Sequence, residues 1–418
     1  MNHIFQPIRG TKDILREDLF LYNKVITNAS LVADLYCYEG IITPVFENSS
    51  VFHRTLGETS DVVSKETYTF IDRDKTSITL RPEFTAAVTR ALISNGLTQS
   101  LPLKFFSYGP VFRHERPQHC RYRQFNQINF EFFGANGPES DVEIIQLGAH
   151  LLKNLNLTNL VELEINTVGD IESRVSYISV FIDYLNKHKN SLSEDSLRRL
   201  ETNPLRILDS KSQEDKIILK DAPSILDYLT PEAENYYKKT LELLDYLEIK
   251  YSINKNLVRG LDYYTHTVFE FTTKFLGSQG TVLAGGRYNG LVKLMGGPNI
   301  NAIGFAAGIE RIAELCKQTN EAIIQQTKHF HIVPIGEEAE KKVLKIAQKL
   351  RNYGFNIYLD YSNNLKKMMQ QANKRNALAV ILFGEEEMLS NQYKIKDMST
   401  GTQSLVTDEN LIDFLLKI

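Results

Sequence analysis

The chain has 418 residues, 42% hydrophobic and 24% charged, with a formal net charge of -3. That length suggests two or three domains with material for a large core. The near-neutral balance excludes a global attraction to nucleic acid or to an anionic membrane, so any polyanion must be met by a local patch.

No run of about eighteen apolar residues marks a membrane span, and MNHIFQPIRGTKD lacks the apolar stretch of a secretory signal. Cys37, Cys120 and Cys316 are scattered and odd in number. This excludes a disulfide framework and a CxxC metal site, and predicts reduced thiols in a cytoplasmic protein. Residues 17–38 carry apolar side chains near helical spacing, with Gly40 as a stop signal. IITPVFE reads as a strand, with Pro44 marking an edge or a bend. TYTFIDRDKTSITLRPE reads as a hairpin around Asp72-Arg73-Asp74-Lys75, and FTAAVTRALI as a helix. LKFFSYGPVF and FNQINFEFFG read as strands on either side of RHERPQHCRYRQ, followed by a helix around DVEIIQLGAHLLKNL. From 184 to 250 the chain turns charged and helix-like, either an insertion into an α+β domain or a helical lobe of the same core. Strands return at LVRGLDYYTHTVFEFTT and at GSQGTVLAGGRYNG. The polar KQTNEAIIQQTK, near 320–328, reads as a linker. After it FHIVPIG, FNIYLD and LAVILFG alternate with two helices, the signature of a small βαβ domain with a mostly parallel sheet.

Chemistry concentrates in four places. RHERPQHCRYRQ holds four arginines, Arg113, Arg116, Arg121 and Arg123. Such a loop is either solvated or built around an anion, and guanidinium groups suit bidentate contacts with phosphate or carboxylate. Arg113 falls at a strand end, where it is held rigidly, which favours phosphate. No GxxxxGK[ST] or GxGxxG glycine cradle occurs, so arginines must hold any nucleotide. Along FNQINFEFF, alternation puts Ile128, Phe130 and Phe132 on one face and Gln127, Asn129 and Glu131 on the other. The polar face is either wet or lines a pocket ~13 Å long. In AIGFAAGIERIAEL, Gly304, Gly308 and Arg311 fall at helical spacing on one face. In LVRGLDYYT, Arg259 precedes Tyr263 and Tyr264, which supply either core or a pocket wall with a hydrogen-bonding tip.

PIRGTKDI at 7–14, TLRPE at 79–83, FRHERPQ with RYRQF at 112–125, LVRGLDYYT at 257–265, AGGRY at 284–288 and GFAAGIER at 304–311 follow one another in a known order. With them the chain resembles the histidine–tRNA ligase family of the class II aminoacyl-tRNA synthetases, over nearly its whole length. The resemblance implies a class II antiparallel-sheet catalytic domain over 1–325, with a helical insertion at about 184–250, and an α/β anticodon-binding domain over 326–418. It implies formation of histidyl-adenylate from L-histidine and ATP, with Mg2+ accompanying ATP and no tightly bound protein metal, then transfer to tRNA(His).

By that resemblance Arg113 and Arg259 would be catalytic, and Arg113, Arg121, Phe125 and Arg311 would hold ATP. Glu83, Thr85 and Gln127 would take the α-amino group, while Glu131, Tyr263 and Tyr264 would line the imidazole pocket. Gln118 and Arg123 would meet the tRNA acceptor end. Lys366, Lys367, Lys374 and Arg375 would offer an RNA-facing edge or a solvated helix face. GIITPVFENSSVF resembles the family's dimerisation motif, implying a homodimer with no membrane partner. Phe84, Asn126 and Asn289 depart from the commonest glycine, histidine and aspartate. Two rivals remain at this stage: a synthetase-like regulatory subunit of ATP phosphoribosyltransferase, and a nucleic-acid-binding module without catalysis.

Overall fold

The computed structural model describes residues 5–56, 66–260, 263–277, 280–319, 328–362 and 364–418. The expected linker, apart from its ends, and Leu261-Asp262 of LVRGLDYYT lie outside the described residues. Contacts divide the chain into two compact units, Met1–Glu321 and Ala322–Ile418.

The first unit is built on an eight-stranded sheet. Its order is Glu39–Gly40, Leu103–Phe112, Gln124–Phe133, Ala302–Gly308, Thr281–Arg287, Thr265–Thr272, Glu162–Thr167 and Ser252–Ile253. All pairs are antiparallel except the two formed by the short edge strands. The strands on either side of the arginine-rich loop pair with each other over ten positions, Leu103↔Phe133 to Phe112↔Gln124, so that loop closes a hairpin. One face of the sheet is covered by the helix Pro138–Asn154, whose Gly148 seats against Leu283 and Phe271. Helix Arg16–Leu35 buries one stripe, Leu21, Val25, Ala29, Val32 and Ala33, as its apolar spacing predicts.

The hairpin at 68–80 forms as expected, Tyr68–Ile71 against Ser77–Leu80. IITPVFE is strand only at its end, in Phe46–Asn48. Pro44 lacks an N–H, and its carbonyl and that of Thr43 are taken instead by the Arg81 guanidinium. The helical region begins at Ile171, upstream of the expected 184, because Asp170 caps it by accepting from the Ser173 N–H at 2.8 Å. Its core of Tyr177, Phe181, Leu185 and Ile225 is continuous with Leu257, Val258 and Val268 of the sheet region.

The second unit has a five-stranded sheet in the order Ile357–Leu359, Phe330–Pro334, Ala379–Phe383, Gln392–Asp397, Gln403–Thr407. The first three strands are parallel and the last two antiparallel. The sheet is therefore mixed, not mostly parallel. The extra hairpin carries a readable signal: Tyr393, Ile395 and Val406 are buried around a turn at Gly401, which has a positive φ of 76°.

Candidate active site

Register sets the floor of the candidate site. Gln127, Asn129 and Glu131 lie opposite Gly308, Ala306 and Gly304. On the next strand, Ala306 and Gly304 pair with Ala284 and Gly286. Residues this small leave a trough across the middle of the sheet. Glycine is required at two of these points: a Cβ on Gly304 would run into the Glu131 carboxylate, and one on Gly286 would lie 2.9 Å from the Tyr264 ring. The trough opens into a cleft lined by polar and aromatic side chains from several elements, the usual make-up of a small-molecule site.

Gly304 and Gly308 therefore sit on a strand, Ala302–Gly308, and Arg311 on the first turn of the next helix, Ile309–Cys316. The helical spacing expected over all three is overturned, because strand alternation brings the two glycines to one face equally well.

Arg113, Arg259 and Arg311 come from three separate parts of the chain and line this one cleft. Arg113 Nε donates to the Pro82 carbonyl at 2.9 Å, and its guanidinium lies 5.5 Å from the Phe125 ring centroid. Arg259 is ion-paired with Glu270, whose other oxygen accepts from the Thr281 hydroxyl at 2.8 Å. Arg311 donates to the carbonyls of Thr281 at 2.8 Å and Cys120 at 3.4 Å. Burial first, and then the charges of Arg113 and Arg121, hold Arg311 down at about 10. Crowded like charges of this kind favour an anion between them. Arg121 lines the cleft beside them, paired with Glu115, while burial pushes the Cys120 thiol up to about 11.

The other end of the cleft is polar and dry. Glu83 is buried, and its carboxylate caps the helix Thr85–Ser94 by accepting from the N–H groups of Thr85 at 2.5 Å and Ala86 at 2.9 Å. Burial pushes its pKa up. Glu131 is 1% exposed. It accepts from Thr85, from the Tyr288 hydroxyl and from Asn129 Nδ2 at 2.9 Å, yet burial still raises it to about 8. Gln127 Oε1 and Asn129 Oδ1 are buried without a protein partner. Tyr263 and Tyr264 stand 4.7 Å apart between ring centroids, with Tyr288 edge-on to Tyr263. The polar face of Gln124–Phe133 is thus buried, with Gln127 reaching the cleft and Asn129 and Glu131 behind it.

Of the residues singled out in the sequence, Glu83, Thr85, Arg113, Arg121, Phe125, Gln127, Arg259, Tyr263, Tyr264 and Arg311 line the cleft. Glu131 lies just beneath its wall. Gln118 is exposed on the loop, where it exchanges backbone hydrogen bonds with Arg121. Arg123 turns toward Gly10, to whose carbonyl its N–H donates at 2.7 Å. Sequence reasoning missed Glu115, Tyr122, Thr281, Tyr288 and Glu310 as lining residues. Tyr288 ends the AGGRY block, the sequence signal that points to it.

Among known families, the model described as histidyl-tRNA synthetase matches residues 10–312, and one described as an anticodon binding domain matches 329–418. The chain belongs to the histidyl-tRNA synthetase family. The histidine–tRNA ligase of Wolbachia pipientis subsp. Culex pipiens (strain wPip) is 48% identical over 98% of this chain and 99% of its own. The apo histidyl-tRNA synthetase of S. aureus superposes with a TM-score of 0.82 at 33% identity, covering 98% of this chain and 99% of that one. As a member of this synthetase family, the chain is an aminoacyl-tRNA ligase that attaches histidine to tRNA(His) in translation, with ATP, through histidyl-adenylate.

A Bacillus halodurans C protein, named as an ATP phosphoribosyltransferase regulatory subunit/histidyl-tRNA synthetase, shares the fold with a TM-score of 0.67 at 20% identity, over 92% of this chain and all of that one. At that identity the likeness is one of fold alone. The three departures from the family's commonest pattern are accommodated. Phe84 is buried, with the Arg81 guanidinium over its ring at 4.1 Å. Asn126 donates to Glu310 at 2.8 Å, and Asn289 Oδ1 accepts from Arg287 at 3.1 Å.

Proposed function

We propose that this cleft binds ATP and L-histidine side by side, and that Arg113, Arg259 and Arg311 surround the triphosphate. The observation that carries the reading is the convergence of these three guanidinium groups beside a buried pocket with unpaired amide oxygens. Arg311 takes the γ-phosphate end, with Arg121 beside it. Phe125, already under the Arg113 guanidinium, supplies an apolar surface for the nucleotide. Arg113 bridges the histidine carboxylate and the α-phosphate. The carboxylate oxygen attacks the α-phosphorus, the bond to the bridging oxygen breaks and pyrophosphate leaves with its electron pair. Arg259 stabilises the negative charge that builds on the α-phosphate oxygens. Glu270 holds it ready for that task. A ribose hydroxyl at the tRNA 3′ end then attacks the adenylate carbonyl, and AMP departs.

Glu83, Thr85 and Gln127 take the α-amino group; the unpaired Gln127 Oε1 is an acceptor suited to an ammonium. Glu131 and Tyr264, with Tyr263 nearby, read the imidazole, whose two nitrogens a carboxyl and a phenol can satisfy. A pocket of this kind rejects amino acids that leave its polar groups unpaired.

Residues 1–325 act in this reading as the catalytic domain and 326–418 as the anticodon-binding domain. The exposed helix carrying Lys366, Lys367, Lys374 and Arg375 faces RNA phosphates, and Gln118 and Arg123 meet the acceptor end. Mg2+ enters with ATP. Ile42 is 98% exposed, and Phe46, Phe70 and Ile71 of the small three-stranded sheet are exposed as well. Apolar exposure of this kind supports a homodimer through that region. No helix among the described residues is long and apolar enough to cross a membrane, in keeping with a cytoplasmic enzyme.

The test is ATP–pyrophosphate exchange by the purified chain without tRNA, followed by charging of tRNA with labelled histidine. Exchange that depends on histidine is expected. Exchange that ignores histidine, or none at all, would overturn the reading and favour a regulator.

A further inference from the structure

Where the arginine-rich loop touches the helix Ile309–Cys316, three metal-ligating side chains meet: His119, Cys120 and Glu314. Their ligand atoms all lie within 4.8 Å of one another. His119 Nε2 is 3.9 Å from Cys120 Sγ and 3.6 Å from a Glu314 carboxylate oxygen. A tetrahedral zinc centre, with bonds of about 2.3 Å to sulfur and about 2.0–2.2 Å to nitrogen and oxygen, needs ligand separations of roughly 3.3–3.6 Å. The cluster is therefore close to a coordinating arrangement. His119 is the most exposed of the three, its side chain 69% exposed.

Two features mark the arrangement as more than a chance encounter of polar groups. The ligands come from two separate elements, so an ion held there would cross-link them. Glu314 is also held in place from behind: its other oxygen accepts from Lys317 Nζ at 2.9 Å, and Lys317 is itself held by Asp18 at 2.9 Å. Support of this kind orients a ligating carboxylate before an ion arrives. A thiolate with an imidazole selects zinc-class ions over magnesium or calcium, which prefer oxygen alone.

We propose that His119, Cys120 and Glu314 form a binding site for one zinc-class divalent cation, which ties the arginine-rich loop to the helix that carries Arg311. On binding, the Cys120 S–H bond is replaced by a sulfur–metal bond and the proton goes to solvent; water completes the coordination. The site adjoins the proposed ATP and histidine cleft, whose wall includes Cys120, but the metal reading does not depend on that assignment. It bears on the cleft because Arg311 donates to the Cys120 carbonyl, so an ion there would fix Arg311 relative to the loop carrying Arg121.

The full chain, stripped with a chelator, is titrated with cobalt(II). One equivalent is expected to produce a thiolate-to-cobalt charge-transfer band with the visible bands of a tetrahedral centre, and zinc should abolish both. Cys120→Ser should remove the charge-transfer band. His119→Gln and Glu314→Gln, both at accessible positions, should each weaken binding by about tenfold or more. Circular dichroism checks that the variants remain folded. Absence of the band in the parent, its persistence in Cys120→Ser, or parental affinity in both His119→Gln and Glu314→Gln would each overturn the site.

Discussion

Two places in the main sheet bury charge, and they do it differently. Arg287 and Asp141 are 1% and 0% exposed. Around Arg287, Nε donates to Asp141 at 2.9 Å, and the remaining N–H groups go to Ala135, Gly137, Ser140, Asn289 and Asp141 again. Asp141 also accepts from Thr267. Every donor of the guanidinium has a protein partner. The face of Gln124–Phe133 that carries Gln127, Asn129 and Glu131 is equally buried, yet Gln127 Oε1, Asn129 Oδ1, Ser107 Oγ and Arg259 Nε have none. Unpaired buried polar groups cost free energy. The Arg287 guanidinium is satisfied donor by donor, whereas the polar groups along Gln124–Phe133 are partly unpaired; in the function proposed above, the first pair is structural and the second set is left for a ligand.

The contrast can be broken or sharpened by mutation. The largest effect is expected at the closed cluster. Asp141→Ala leaves Arg287 charged and uncompensated and should cost about 3–5 kcal/mol of stability by urea denaturation. A loss below ~1 kcal/mol would mean that the cluster does not anchor the sheet. At the open cluster the cost should appear in function. Arg259→Ala should slow adenylate formation by ~10²–10³-fold, the usual size for one lost oxyanion-type donor, with a much smaller change in ATP affinity. A rate within about threefold of the parent would remove Arg259 from the mechanism sketched here. Glu131→Gln should weaken histidine binding by ~1.5–3 kcal/mol, read by calorimetry. Unchanged affinity would place imidazole recognition elsewhere.

A further effect, read as a trend across pH and not as a single loss, is expected in the pH dependence of stability. Burial raises Glu131 from the ordinary 4.5 to about 8. The folded state then binds more protons than the unfolded state between these values, so stability falls as pH rises through that window. The stability difference between parent and Glu131→Gln should therefore shift against the parent from pH 5 to pH 8. A constant difference would show that Glu131 ionises freely in the fold.

Much of this was legible in the chain. Alternating side chains announced the hairpin at 68–80 and the two strands around the arginine-rich loop, because a period of two needs no knowledge of neighbours. The ordered blocks from PIRGTKDI to GFAAGIER pointed to the family. Where reading failed, a tertiary partner had intervened. Arg81 claimed the carbonyls that would have extended the strand at Pro44. Gly304 and Gly308 fit helix and strand spacing alike, and only pairing with Gln124–Phe133 and Thr281–Arg287 decided between them. The hairpin at 392–407 was missed although its alternation was visible.

By itself, the order of residues determined many of the strands and helices, where the arginines cluster, and which face of Gln124–Phe133 is polar. Only the tertiary structure decided that Arg113, Arg259 and Arg311 share one cleft, that burial pushes Glu131 up to about 8, and that His119 and Cys120 meet Glu314. The reason is physical: periodicity is set by the backbone a few residues at a time, whereas desolvation and the convergence of charges depend on groups distant in the chain that sheet register brings together.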